Sequence, residues 1–359
     1  MKIWMISDTH LGCRTNSVMW IELIRSYFYE FFIPLIKKEA NPKEDILYHL
    51  GDVFDNRQSI NIAVQNLAIE LFDELTKYFK EIHIIVGNHD IMKKNSTDIT
   101  SVDCLKYMPK VYIHKHSTIK EYIIDGKVIK CALMPWQVDE QEELDFLSKK
   151  ADYLFCHAEI KGHQMTNSIH NVVEDGVEIN EFAGYKRVYS GHIHYGQHKV
   201  GTNIIYVGNP YQMTRSDISN TKGIYCLDLT TGKENFYENT YSPVFLKFYI
   251  DEILDVELSE FFKKIKGNFV DILVPSSYMG KYDINKLILL CSEYANRLDV
   301  IVNDDGGIDD IEEMQSDFNI LNIAKTYIAN STYDDELKEK LLNSFIALYN
   351  ECLNEQQNI

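Results

Sequence analysis

Five short clusters between residues 8 and 194 carry side chains that can hold divalent cations. They are Asp8-Thr9-His10, Gly51-Asp52-Val53-Phe54-Asp55, Gly87-Asn88-His89-Asp90, the lone His157, and Gly191-His192-Ile193-His194. Carboxylate, imidazole and carboxamide donors are borderline-to-hard ligands, which suit manganese, iron or zinc better than a thiolate site would. Two such ions about 3.5–4 Å apart can clamp a phosphoryl group and activate a water. A carboxylate shared between them, here Asp52, would hold the pair together. Neutral histidines limit the negative charge, so a phosphate anion can still enter. An isolated Asp-x-His is common in proteins, but the ordered set DxH, GDxxD, GNHD, H, GHxH is specific.

Each cluster falls at the end of an expected strand. Apolar, β-prone runs cover 2–7, 46–50, 82–86, 153–157 and 188–190, and helical periodicity covers 18–38 and 60–79, with Pro34 as a kink or end. Strands alternating with helices imply a layered α/β sheet, in which loops after the strands' carboxyl ends converge on one edge. Asp125-Gly126 between the apolar runs 118–124 and 128–134 signals a hairpin. Residues 158–186 read as a polar, irregular insertion. The expectation for 1–242 is a two-sheet α/β sandwich.

Pro243 opens a different order: strand 244–250, helix 258–266, strand 269–274, helix 284–297, strand 300–302. That is a small α+β domain over 243–302. The stretch 303–317, NDDGGIDDIEEMQSD, is acidic and lacks a buried face, which reads as a flexible linker. Two helical segments fill 318–359. In the second, Leu337, Leu341, Phe345 and Leu348 fall at helical spacing. Such an apolar stripe either packs on its own domain or, on a tethered helix pair, docks a partner.

The charge sum is −18, from 36 basic and 54 acidic residues, so bulk positive charge does not hold nucleic acid here. The seven cysteines are scattered without a CxxC pair, which fits a reducing cytoplasm rather than a disulfide framework. Asp8 and His10 interrupt the first apolar run too early for a signal peptide, and no run approaches the roughly 20 apolar residues of a membrane span.

The ordered motifs resemble the calcineurin-like metallophosphoesterase superfamily over roughly residues 1–240, which implies a four-layer α/β/β/α sandwich. By carry-over, one metal is expected on Asp8, His10, Asp52 and His194, and the other on Asp52, Asn88, His157 and His192. The same resemblance makes His89 the general acid, or a cation that stabilises the leaving oxygen, Asp90 the carboxylate that orients it, and Asp55 a supporting neighbour. The second motif, GDVFDNRQSIN, lacks the Arg-Gly continuation usual in protein phosphatases. The DTHLG opening, the LMPWQ segment and the YSGHIH and IIYVGNPYQMTRSD stretches look like the SbcD-type nuclease family, including the recombination nuclease subunits of T4-like phages. That family implies two divalent ions, manganese first and magnesium as the alternative. It implies exonuclease action on duplex ends and endonuclease action on single strands of DNA. It also implies a homodimer within a 2:2 complex with an SMC-like coiled-coil ATPase, clasped by the C-terminal helix–loop–helix, in the cytoplasm of a phage host. The domain 243–302 becomes a DNA cap. One departure is Cys156 before His157, where the family more often has glycine.

Several other residues stay open at this level. Arg57 and Arg215 follow site loops and could contact phosphate or lie on the surface. Tyr211 and Gln212 could line a DNA groove or shape a turn. His163 is the one rival to His157, and His49 reads as a packed strand residue. Two rival functions remain: a phosphatase or cyclic-nucleotide phosphodiesterase using the same metals, and a non-catalytic scaffold.

Overall fold

The computed structural model describes residues 1–278, 284–303, 337–338 and 340–346. Strand alternation decides which side chain enters which layer. In β1 (Lys2–Ile6), Ile3 and Met5 enter the core between two sheets, while Trp4 and Ile6 pack on the outer side under helices. Parallel to it run β2 (Ile46–His49), β3 (Glu81–Ile85) and, beyond the small hairpin β4 (Ile91–Lys93) and β5 (Ser96–Thr100), β6 (Val111–His114). The second sheet holds β7 (Thr118–Ile124), β8 (Lys127–Met134), β9 (Tyr153–His157), β10 (Arg187–Gly191), β11 (Gln197–His198) and β12 (Ile204–Tyr206), ordered β11-β12-β10-β9-β8-β7. The chain then returns antiparallel as β13 (Gly223–Asp228) and β14 (Glu234–Glu238), which makes the first sheet β14-β13-β1-β2-β3-β6. The hairpin joining β7 and β8 turns at Asp125 and Gly126, both with positive φ, as the Asp-Gly pair requires.

Helices cover the outer faces. α1 (Val18–Ser26) runs through a π-helical turn (Tyr27–Phe32) into α2 (Ile33–Glu39). Helix does not end at Pro34: the proline lies just after the π-helical turn, and helical backbone continues through it to Glu39. The irregularity lies instead in the aromatic run before it, where Tyr27, Phe28 and Phe32 are all buried. α3 (Ile62–Leu75) is capped by Asn61, which accepts from the Ala63 amide, and it buries Val64, Leu67, Ala68, Leu71 and Leu75. On the far sheet, α4 (Glu140–Leu147) packs Phe146 and Leu147 with Phe182 and Tyr185. The result is the four-layer α/β/β/α sandwich. The insertion 158–186 is less irregular than expected. It folds back on itself through Lys161–Val177, Gly162–Val173 and Val173–His163 backbone bonds, and it buries Ile160, Val173 and Val177 in the outer core.

After Pro243 comes a parallel three-stranded sheet of β15 (Phe245–Tyr249), β16 (Phe269–Pro275) and β17 (Arg297–Asn303), with α5 (Ile250–Leu254), α6 (Leu258–Ile265) and α7 (Ile284–Ser292). It has its own core around Phe248, Ile253, Phe261, Ile265 and Ile272. However, Phe245 and Phe269 belong to the main core, and Phe269 stacks on Trp20 at 5.3 Å. By compactness the chain forms two units, Met1–Asp305 and Gly306–Ile359.

The acidic stretch 304–317 lies outside the described residues, as does Leu348. The second unit is helical at 337–338 and 340–346, where Leu337 and Leu341 are 40% and 39% exposed and Phe345 is half-buried. Among the described residues, no helix is long and apolar enough to cross a membrane.

Candidate metal centre

Because β1, β2 and β3 are parallel, as are β9 and β10, the loops that follow them meet at one edge. The chain approaches itself closely there. A Cβ on Gly87 would lie 2.2 Å from Asp52 Oδ1, and Gly51 holds a φ of 98° that glycine alone adopts freely. Asp8, His10, Asp52 and His192 also have positive φ, a costly conformation for residues with side chains and one that clusters at functional sites.

Two groups of ligand atoms form, with all atoms of each within 4.8 Å of one another: Asp8, His10 and His194, and Asp52, His157 and His192. In the first, His10 Nε2 and His194 Nε2 face each other at 3.0 Å, and His194 Nε2 is 4.0 Å from Asp8 Oδ1. In the second, Asn88 Oδ1 stands 2.9 Å from both His157 Nε2 and His192 Nδ1, and His157 Nε2 is 3.4 Å from Asp52 Oδ2. His10 Nε2 lies 3.7 Å from that same Asp52 oxygen, so Asp52 stands between the groups. A third group joins His10, Asp55 and His89, with Asp55 Oδ1 3.2 Å from His10 Nδ1.

The donor set fits a cation. His157 Nδ1 donates to the Leu50 carbonyl at 2.7 Å, and His192 Nε2 donates to Glu159 Oε1 at 3.1 Å. With those protons placed outward, the inner nitrogens present lone pairs to the Asn88 oxygen. Three acceptors cannot attract one another; a cation or a proton must sit among them. The titration behaviour agrees. Burial disfavours a charged His157, but the Asp52 carboxylate overrides it and pushes the ring up to about 9. Burial likewise opposes charge on His10, and Asp55, Asp52 and Asp8 raise it nonetheless. His194 falls to about 4 through burial and the neighbouring His10 charge. Burial would raise Asp52, yet His157 and His10 hold its carboxyl far below the usual range.

His89 is half-buried, and its Nδ1 donates to the Asp55 carbonyl at 2.9 Å, which leaves Nε2 for proton transfer. Its backbone amide donates to Asp52 Oδ1 at 2.8 Å. Asp90 does not orient it, contrary to expectation. The Asp90 carboxylate turns under the loops and accepts from the amides of Asp52, Val53, Phe54 and Gly87 and from the Ser101 hydroxyl, at 2.9 to 3.3 Å. Among the described residues none of its bonds reaches the His89 ring.

Other expectations also move. Arg215 is not free for phosphate: its guanidinium forks onto Asp271 of β16 and reaches Asp299 of β17. Tyr211 and Gln212 are buried and shape the structure, with the Tyr211 hydroxyl donating to the Thr9 carbonyl. His163 is buried against the Ile160 carbonyl and Tyr206, away from the ligand groups. His49 is a packed strand residue, pushed down to about 3 by burial, with Nε2 2.9 Å from Thr9 Oγ1. Arg57 is half-buried past Asp55, with no ion pair among the described residues. Two residues beside the ligands are not marked out by the ligand motifs, although Trp136 lies in the LMPWQ segment. Glu159 holds the His192 ring, and Trp136 lies against it with ring centroids 5.0 Å apart. The position of Glu159, two residues after His157, is the only signal for it.

A sandwich of this layering, with imidazole, carboxylate and carboxamide donors gathered at the strand ends, defines a metal-dependent phosphoesterase. Residues 1–196 match the calcineurin-like phosphoesterase family, and the chain belongs to it. It is 29% identical over 244 residues to exonuclease subunit 1 of Enterobacteria phage T4, which covers 67% of this chain and 68% of that one. A solved structure of a novel archaeal phosphodiesterase aligns at a TM-score of 0.33 and 15% identity, over 67% of this chain and 100% of that one.

Proposed function

We propose that this chain is a two-metal phosphodiesterase acting on DNA, the nuclease subunit of an assembly with an SMC-like coiled-coil ATPase in recombination and repair. The observation that carries the metal reading is the convergence of ligand atoms in two adjoining groups, Asp8, His10 and His194, and Asp52, His157 and His192, each within 4.8 Å. On this reading Asp8, His10, Asp52 and His194 hold one ion, and Asp52, Asn88, His157 and His192 hold the other. Manganese suits the mixed imidazole, carboxylate and carboxamide set, with magnesium as the alternative. Bound there, the two ions would supply Lewis-acid polarisation of the phosphoryl oxygens and lower the pKa of a water. The protein does the rest. Glu159 and the Leu50 carbonyl fix the ring tautomers, Asp52 ties the two ligand groups, and His89, held by the Asp55 carbonyl, gives a proton to the leaving oxygen.

The relative named as an exonuclease subunit supports a DNA substrate within a larger assembly. The net charge of −18 assigns much of the DNA affinity to the ions and the partner. The sheet of β15–β17 would cap the DNA, and Leu337, Leu341, Phe345 and Leu348 would dock the ATPase coiled coil in a 2:2 complex in the host cytoplasm. The deciding assay is manganese-dependent degradation of single- and double-stranded DNA, with and without the cognate ATPase, beside a phosphomonoester. DNA cleavage is expected. DNA left intact beside rapid phosphomonoester turnover would reassign the substrate and keep the site.

Ion binding should also depend on pH in a stated direction. In the metal-free chain the His157 proton occupies the ligand position, so apparent affinity for Mn²⁺ should rise as pH approaches about 9 and then level. Its linked contribution to metal-free stability has the opposite sense. A ring raised above its unfolded value stabilises fully below about pH 6.5, and that contribution is lost as pH rises toward about 9. Mn²⁺ titrations at several pH values test this; an affinity flat with pH would contradict the proton's placement.

A further inference from the structure

The loop carrying His194 is held from one side by a single turn. Lys222 Nζ, buried, donates to the His194 carbonyl at 2.7 Å and pairs with buried Asp217 Oδ1 at 2.6 Å. Asp217 Oδ2 in turn accepts from the Met213 and Thr214 amides, each at 2.9 Å. Asn220 brackets Gly196, accepting from its amide at 3.1 Å and donating to its carbonyl at 3.0 Å. The same turn reaches the His10 loop, because Arg14 Nη2 donates to the Met213 carbonyl at 2.7 Å. Both loops whose imidazoles face each other at 3.0 Å are therefore tied to residues 213–222.

The opposite side of that turn is fixed to the small sheet. Arg215 Nε and Nη2 fork onto Asp271 at 2.5 and 2.8 Å, and Nη2 also reaches Asp299 at 2.5 Å. Asp271 and Asp299 are register partners on β16 and β17, so two like charges stand side by side and the guanidinium offsets their repulsion. Gln212 Oε1 accepts from the Phe245 amide of β15 at 2.6 Å, which makes a second tie. Two buried or half-buried charge pairs thus share one three-residue capped turn, Arg215–Asp217, with the metal-site loop on one side and the small sheet on the other.

We infer that the turn 213–222 is a strut that carries the position of the small sheet to the His10–His194 side of the metal centre, with Arg215 and Lys222 as its positioning residues. The inference rests on the reading of His10 and His194 as ligands of one ion. A substrate or partner that shifts the small sheet would, through this strut, change one ion site and leave the other.

The test counts Mn²⁺ ions bound to the full chain by electron paramagnetic resonance titration. Wild type should bind two. Arg215→Ala, whose side chain is 33% exposed and bonds Asp271 and Asp299 rather than any proposed ligand, should weaken one binding step about tenfold and leave the other unchanged. Asp271→Asn should act in the same direction, and Arg215→Lys, which keeps the charge without the fork, should fall between. Lys222→Met should reproduce the selective loss; should it not fold, Arg215→Ala decides alone. A folded Arg215→Ala with both steps intact, or with both weakened equally, overturns the strut. Fewer than two ions on wild type overturns the ligand reading beneath it before any variant is compared.

Discussion

Replacing His89 by alanine is expected to slow DNA cleavage about 10²- to 10⁴-fold while both ions stay bound. Among the described residues the ring makes one hydrogen bond, to the Asp55 carbonyl, and the link to Asp52 runs through the His89 backbone amide, which alanine keeps. The ligand geometry should therefore survive loss of the ring. Changing the leaving group isolates the proton. A deoxyribose oxygen departs poorly as an anion, whereas a nitrophenolate needs no proton. The alanine variant should lose far more rate on DNA than on bis(p-nitrophenyl) phosphate. Equal losses on the two substrates would sink the general-acid role, and loss of bound Mn²⁺ would make His89 a structural residue instead.

The chemistry of the site is legible in the sequence where spacing carries a steric rule. Gly51 and Gly87 precede ligands because the His157 ring crowds the first and Asp52 the second within a distance no Cβ tolerates, and that necessity is written as the GD and GNHD motifs. The strands are legible because their side chains alternate between two cores or are buried outright, as Ile3, Trp4, Met5 and Ile6 show. What escapes is the choice among equivalent partners. Asp90 adjoins His89 in the chain, yet neighbours in a tight turn point apart, and Asp90 instead gathers amides from residues far earlier in the chain. Arg215 has a fork that fits a phosphate or a carboxylate equally well. Only folding brings Asp271 and Asp299, 56 and 84 residues on, within its reach. Phe269 likewise reads as a residue of the small sheet until it stacks on Trp20.

That placement of Asp90 makes the second large prediction. Asp90→Ala should cost roughly 3 kcal/mol or more, because it orphans four buried amides and a hydroxyl at once. Asp90→Asn should be nearly as damaging, although it is isosteric. Both carboxylate oxygens accept from backbone N–H groups, and an amide NH₂ in either position sets donor against donor. Burial and the nearby Asp52 charge push Asp90 up to about 7, so its ionised form is already disfavoured. A carboxyl raised above its unfolded value lowers stability as pH climbs from about 4 toward about 7. Asparagine removes that penalty, and the donor clash must outweigh the gain for the variant to unfold early. Because Oδ2 takes the amides of Gly87 and Asp52 together, losing it also frees the carboxylate that stands between the two ligand groups. Melting temperature and Mn²⁺ affinity should therefore fall together in both Asp90 variants, whereas His89→Ala should change neither. If Asp90→Asn melts like wild type and loses only turnover, the carboxylate acts through His89 after all, and the loops around Asp52 are held by something else.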